Sequence, residues 1–266
     1  MKTRVISGAV LVVIAAIVLY AGGYVTGITT LLLSLGGMLE LLRVYDLHKK
    51  LPGYIAYSSA IVYYAFIAFD MTEYIMPVII AFVLLELACY VISFPKYKDA
   101  DIEATILAFI YVTVMLSYVY QIRLMKQGLA LVIMIFICSW INDTCAYFVG
   151  VLFGKHKMSP KLSPKKSIEG LIGGIAGAAI VSAVYSYFID RYVFSLGASP
   201  LIFAIIGAAG AIVAVIGDLT ASAIKRDNEI KDYGRLIPGH GGIMDRFDSI
   251  IFTAPIIYYC ALYMLG

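Results

Sequence analysis

Long hydrophobic segments, each followed by a short polar or charged loop, recur along the whole 266-residue chain. A helix needs about 20 mostly apolar residues to cross a bilayer, because ~1.5 Å of rise per residue must cover a hydrocarbon core of ~30 Å. The pattern predicts an all-α polytopic membrane helix bundle with about nine transmembrane helices. The predicted spans are Val5–Tyr20, Tyr24–Leu42, Tyr54–Phe69, Tyr74–Phe94, Ala104–Tyr120, Leu129–Phe153, Gly170–Ile189, Leu201–Ile224 and Ile243–Leu265, of which the first and third are short.

Composition agrees with that class. Hydrophobic residues make up 62% of the chain and charged residues 14%, whereas soluble domains are about 45–50% apolar and about 25% charged. The net charge of +3 is too small to indicate a nucleic-acid partner. The basic start and the apolar run after it also resemble a cleaved secretory signal, but the many spans that follow favour a retained first helix.

The basic residues orient the helices. With a cytoplasmic N-terminus, all 20 lysines and arginines except Arg123, Lys126 and Arg191 fall in segments on the cytoplasmic side. This bias is the positive-inside pattern of integral membrane proteins. We therefore expect a protein of the cytoplasmic membrane whose N-terminus and two charged loops face the cytoplasm.

The chain divides by its charge distribution. Residues 1–128 form an N-terminal set of transmembrane helices, and residues 129–266 form a C-terminal catalytic region with cytoplasmic loops at 154–169 and 225–242. Neither loop is long enough to fold independently. Any chemistry must therefore be built from helix ends and these two loops.

Three aspartates near the C-terminus form the first candidate site. Asp245 and Asp248 are three residues apart and share a face of the last helix, and Asp218 lies inside the preceding apolar span. If these two helices pair antiparallel, the carboxylates match the oxygen ligands that Mg²⁺ prefers. The alternative is salt bridging to nearby basic residues. It is weakest for Asp218, since an acid within a membrane costs about 2.5–3.5 kcal/mol on insertion scales.

Other acids also lie in apolar spans. Asp143 is interpreted as a ligand of the nucleotide or of a second cation, against a purely structural, capped aspartate. Glu40 is close enough in sequence to pair with Arg43. Glu86 has no partner nearby in the sequence, and no role is assigned to it.

Two cytoplasmic elements could bind phosphate. The stretch Gly154–Gly170 is rich in lysine and serine, and its Ser163–Pro164 step suggests the start of a helix, whose N-terminus attracts anions. The turn Gly239–Gly242 would let backbone approach a phosphate closely, and His240 within it could donate a hydrogen bond or carry a proton. Alone, the lysines could serve only topology and headgroup attraction, and the glycines only a turn.

Glycines repeat at small-residue spacing in one span, at Gly170, Gly173, Gly174 and Gly177. Such spacing favours close helix packing in lipid. It is also compatible with a homodimer.

The segment Ser222–Asp248 carries a recognisable order of residues, S-x-I-K-R, then K-D-x-G-x-x-I-P-x-H-G-G-I-x-D-R-F-D. It resembles the signature of the phosphatidate cytidylyltransferases, or CDP-diacylglycerol synthases. Asp143–Gly150 and Gly154–Gly170 are similar to a second conserved region of that family, with Ser167 and Ile168 where threonine and often tryptophan are expected. The matching signature residues are Ser222, Lys225, Arg226, Lys231, Asp232, Pro238, His240, Gly241, Gly242, Asp245, Arg246 and Asp248.

The resemblance implies transfer of a cytidylyl group from CTP to phosphatidate, with Mg²⁺ and release of pyrophosphate. On this interpretation, Asp218, Asp245 and Asp248 hold the metal, and Ser222 helps to place a phosphate or ion. His240, Gly241 and Gly242 shape the phosphate pocket, and Ser167 and Lys231 belong to the substrate site. The groups that balance the charge of the two substrates are Lys165, Lys166, Lys225, Arg226 and Arg246.

Two alternatives stay open at this point. A related cytidylyltransferase or a lipid kinase acting on another membrane lipid would share the spans and the metal site. An ion-coupled transporter would also place acids within helices, but it predicts inverted repeats and broken helices in both halves. No such duplication stands out, and the charge is gathered on one membrane face.

Overall fold

The fold was established from a computed structural model, which describes residues 2–193, 197, 199–237, 239 and 241–264. Helices dominate it, in the order predicted from the hydrophobic segments. Their bounds are α1 Lys2–Ala21, α2 Gly23–Val44, α3 Leu51–Ala68, α4 Ile75–Ile92, α5 Asp99–Leu124, α6 Gly128–Phe153, α7 Ile168–Tyr192, α8 Pro200–Asp227 and α9 Met244–Met264.

Each predicted span corresponds to one of these helices. Within the described residues, eight helices are long and apolar enough to cross a membrane, and the apolar part of α1, Ser7–Ala21, is shorter. The all-α polytopic bundle expected from the sequence is therefore confirmed, and the chain is an integral membrane protein. Helices suit this environment because every internal backbone N–H and C=O is paired within the segment.

Two helices contain π-helical segments that the hydrophobic pattern did not indicate. One is Phe109–Val114 in α5, and the other is Ile137–Ile141 in α6. The second ends directly before Asn142, whose buried amide neighbours Asp143 in sequence. π-Bulges are frequent at functional sites because the extra residue changes which side chains face inward.

The chain forms two compact units. The first contains residues 1–121 and 232–246, and the second contains residues 122–231 and 247–266. In the first unit, Tyr63, Phe82 and Phe109 form a buried aromatic core, and the rings of Phe82 and Phe109 stack with centroids 4.2 Å apart. The segment 232–246 packs into this unit although it follows α8 in the chain.

The second unit contains α6, α7, α8 and most of α9, with a small hairpin. Strands β1 (Lys157–Ser159) and β2 (Ser163–Ser167) pair antiparallel within the loop that the sequence marked as phosphate-binding. The prediction that a helix starts at Ser163–Pro164 is therefore wrong. α7 begins at Ile168, because the Ser167 hydroxyl caps it by accepting from the Gly170 N–H at 3.1 Å.

The glycines of α7 allow it to pack closely against α6, as predicted. A side chain at Gly173 would overlap Val149, and one at Gly177 would overlap Cys145. The same holds at Gly170, where a Cβ would lie 2.7 Å from the Ala146 carbonyl oxygen. Small residues thus bring two membrane helices together at the base of the hairpin.

Candidate active site

α8 presents a line of polar groups at its C-terminal end. Asp218, Ser222 and Lys225 follow one another at spacings of four and three residues, which places them on one face of a continuous helix. All three are partly exposed, and the buried alanines Ala211, Ala214 and Ala221 lie on the same face of the helix. The helix therefore carries an acid, a hydroxyl and an amine in one row.

The hairpin contributes a lysine to this row. Lys166 on β2 forms an ion pair with Asp218 on α8, and the two side chains are 26% and 31% exposed. Its neighbour Lys165 points to the other face of the strand, since successive residues alternate, and it is exposed. The ion pair thus brings together two predicted site residues, one from the hairpin and one from α8.

The hairpin itself is fixed to the start of α7. The Glu169 carboxylate accepts hydrogen bonds from the backbone N–H groups of Lys155 and His156 at 3.1–3.2 Å, and it contacts His156 Nδ1 at 2.6 Å. Together with the Ser167 cap, these contacts hold both ends of the hairpin. Lys166 therefore lies on a hairpin that is fixed at both ends. A substrate contact for Ser167 stays a prediction.

α8 and α9 run antiparallel where the acids lie, as the sequence suggested. A Cβ at Gly217 would lie 2.6 Å from the Asp248 carbonyl oxygen and 3.0 Å from Phe252, and Gly210 faces Ile257 further along. The Asp248 carboxylate accepts the N–H of the next residue, Ser249, at 2.7 Å. Asp218 and Asp248 are thus brought to one helix crossing.

Asp245 organises the glycine turn that precedes α9. Its side chain is buried, and Oδ2 accepts the N–H groups of Tyr233 at 2.9 Å and of Gly242 at 3.0 Å. Across the same turn, the Ile237 N–H donates to the Gly241 carbonyl oxygen at 2.9 Å. Gly241 adopts a φ of +89°, in the left-handed region that favours glycine. A buried carboxylate therefore closes the signature loop.

Glu40 is a second buried carboxylate at this turn, and sequence reasoning missed it. Its two oxygens accept the N–H groups of Ile243 and Met244, each at 3.0 Å, so that a residue of α2 caps the start of α9. Gly234 and Gly242 leave no room for a Cβ beside this carboxylate. The expected pairing with Arg43 is therefore not its main role. A separation of 203 residues hid the contact from the sequence.

We expect Glu40→Ala to destabilise the protein strongly and Glu40→Gln to do so by roughly half as much. Hydrogen bonds to charged groups contribute about 1.5–3 kcal/mol each, and alanine leaves two buried N–H groups unpaired, whereas glutamine keeps one acceptor oxygen. Thermal unfolding in detergent measures the effect. Glu73→Gln, at an exposed acid, is the matched control, and equal stability of Glu40→Ala and this control would contradict the capping role.

The remaining predicted residues lie at accessible positions. Asp143 is exposed on α6 and interacts with other groups, and Lys225 is partly exposed. His240 lies outside the described residues. The other exposed members of the predicted set are Lys165, Arg226, Lys231 and Arg246.

The donor set can be compared with the needs of a magnesium ion. In the part of the chain that the structure describes, no group of three or more acidic, histidine or cysteine side chains is arranged to hold a metal. The carboxylates at the α8–α9 crossing have the right chemistry for Mg²⁺, which completes its shell with phosphates and water. Asp245, by contrast, uses Oδ2 for two backbone N–H groups. The fit is thus to Asp218 and Asp248, and a metal role for Asp245 stays a prediction.

The fold and this site define a class: an integral membrane enzyme with acidic and basic groups gathered at the ends of its helices. Comparison with known proteins identifies the family, since residues 2–264 match the model of the Cytidylyltransferase family. The chain belongs to this family.

Individual relatives cover nearly the same length. The chain is 32% identical over 262 residues to the phosphatidate cytidylyltransferase of Staphylococcus epidermidis, covering 97% of each protein. It is 31% identical to the protein of that name from Staphylococcus saprophyticus and 33% identical to that from Staphylococcus aureus, again over 97% of each.

Proposed function

We propose that this protein transfers the cytidylyl group of CTP to phosphatidate in the membrane, giving CDP-diacylglycerol and pyrophosphate. The observation that carries the proposal is the 31–33% identity over 97% of the chain to relatives named for this activity. The ion pair between hairpin and α8 gives the activity a physical basis, because it gathers both signs of charge where phosphates must meet.

In the proposed reaction, a phosphate oxygen of phosphatidate attacks the α-phosphorus of CTP. A new P–O bond forms as the bond to the β-phosphate breaks, and pyrophosphate leaves. No general base is needed, because a phosphate monoester with a second pKa near ~6 is already ionised at neutral pH. Two anions must approach each other, so charge neutralisation and positioning are the main tasks of the protein.

Lys166 and Lys225 are assigned to the phosphates, with Arg226, Lys231 and Arg246 as outer positive charges. Lys166 is the best placed, since the hairpin holds it beside the α8 row. Asp218 and Asp248 are the residues that would hold Mg²⁺, which when bound would neutralise phosphate charge. Asp245 accepts the N–H groups of Tyr233 and Gly242 and keeps the glycine turn in shape, and the metal role predicted for its charge remains part of the proposal.

The same proposal assigns the enzyme to the cytoplasmic membrane with its N-terminus inside. The basis is the distribution of lysine and arginine, which leaves only Arg123, Lys126 and Arg191 on the outer side. CTP is then available on the side that carries the charged loops. The homodimer stays a prediction.

Labelled CTP tests the reaction and separates it from its alternatives. With phosphatidate and Mg²⁺, label at the α-phosphorus is expected in the lipid, and label at the γ-phosphorus is expected in pyrophosphate. A lipid kinase would instead transfer the γ-label to the lipid and leave the α-label in CDP. ATP and GTP should leave little product, and equal rates with all three nucleotides would refute the assignment of CTP. A different lipid that is turned over faster than phosphatidate would refute the assignment of the acceptor.

A further inference from the structure

A second basic site lies in the first unit, and none of its lining residues is assigned to catalysis. It is a cavity of about 600 Å³ between the start of α3 and the segment that joins α4 to α5. Its lining residues, here called the lysine groove, are Lys49, Lys50, Leu51, Tyr54, Lys96 and Tyr97. Three of the six carry positive charge and none is acidic.

The groove is a built feature rather than a loose surface patch. Tyr97 is buried, and its hydroxyl accepts the Leu51 N–H at 3.3 Å, which ties the α4–α5 segment to the first turn of α3. The ammonium of Lys96 lies 5.3 Å from the centre of the same ring, a cation–π distance. The lysine is therefore held at the rim of the cavity.

The charge of the groove is only partly neutralised. Lys50 pairs with Asp46 at 3.2 Å. Within the described residues, no ion pair is formed by Lys49 or Lys96, and both are exposed. The α3 N-terminus, with its partial positive charge, opens into the same space. The groove thus favours an anion.

Apolar groups beside these charges indicate what carries the anion. Leu51 is 50% exposed and Tyr54 is 54% exposed, although both lie at the end of a membrane-spanning helix. Tyrosine and lysine at such a position mark the headgroup level of a bilayer. A ligand with a charged head and an apolar body fits this combination better than a free anion.

The groove lies at the same end of α2 as the signature turn. Glu40, near the end of α2, caps the start of α9, and Lys49 and Lys50 follow in the loop directly after α2. A lipid bound there would belong to the leaflet in which the glycine turn lies. We propose that the lysine groove binds the phosphate headgroup of an anionic membrane phospholipid, through residues other than those assigned to catalysis.

Lipid retention tests this proposal. The protein is purified in neutral detergent, mixed with phosphatidylglycerol, which offers a phosphodiester headgroup, and analysed by native mass spectrometry for bound lipid. The double variant Lys49→Gln/Lys96→Gln is expected to retain at least about threefold less phosphatidylglycerol than the wild type, because it removes two of the three positive charges that line the groove. Lys98→Gln, at an exposed lysine outside the groove, should retain the wild-type amount.

Further arms identify the source of the phosphate and check the fold. Glycerol 1-phosphate at the same concentration should not displace the lipid, and displacement would overturn the proposal in favour of a soluble phosphate ligand. Equal retention by the double variant and the wild type would overturn it outright. The double variant should keep its turnover of CTP with detergent-dispersed phosphatidate, and a parallel loss of turnover and lipid retention would mean that the groove is part of the substrate site.

Discussion

Purified Asp245→Asn protein is expected to lose CTP-dependent turnover by about 100-fold or more while it remains folded in detergent. Asparagine has nearly the same shape, and its side-chain oxygen can still accept the N–H groups of Tyr233 and Gly242. The turn therefore persists, and what is removed is a negative charge at the start of α9. Incorporation of α-labelled CTP into lipid measures the loss.

Asp227→Asn is the matched control for this experiment. Asp227 is the last residue of α8 and is exposed, and no role is assigned to it. Its replacement should leave turnover within about twofold of wild type, as expected for a surface position. Near wild-type turnover of Asp245→Asn would exclude a catalytic contribution from its charge.

The ion pair between Lys166 and Asp218 supports an equally large effect. Lys166→Ala and Asp218→Asn should each lower turnover by about 100-fold or more, because one removes a phosphate-binding charge and the other a carboxylate at the α8–α9 crossing. The exchange variant Lys166→Asp/Asp218→Lys can restore the ion pair but not the position of each charge. We expect it to regain stability and not activity.

The exchange variant distinguishes catalysis from structure. If the pair only joins the hairpin to α8, the exchange should recover turnover together with the thermal midpoint, and the catalytic assignment would then be wrong. Lys161→Ala serves as the control for loss of charge on the hairpin, since Lys161 lies in the turn between β1 and β2 and is exposed. Its turnover should match that of the wild type.

The bundle could be predicted because lipid imposes it on the sequence. Each of the nine predicted hydrophobic segments had to become a helix, as open backbone cannot be solvated in a bilayer. Consecutive spans cross a membrane in opposite directions, so α8 and α9 had to be antiparallel once both were predicted to span it. The spacing of Asp218, Ser222 and Lys225 likewise places them on a common face of any helix that contains all three.

Contacts between distant segments could not be predicted in this way. Periodicity predicts only which face of an element a residue lies on. It does not predict that Lys166 on a strand lies next to Asp218 on a helix. The hairpin was hidden because lysine and proline are poor strand formers, and pairing decides the strand instead. In the sequence, Glu40 is an isolated acid near Arg43, and nothing there indicates its contact with the start of α9.

The sequence by itself determined a membrane enzyme with an acid- and lysine-rich C-terminal signature, because hydrophobic length and residue order are local properties. Only the tertiary structure decided that Glu40 caps α9, that Asp245 closes the glycine turn and that Lys166 meets Asp218. Buried carboxylates take whichever backbone donors the packing brings within reach. That choice depends on how helices meet, and no single segment contains it.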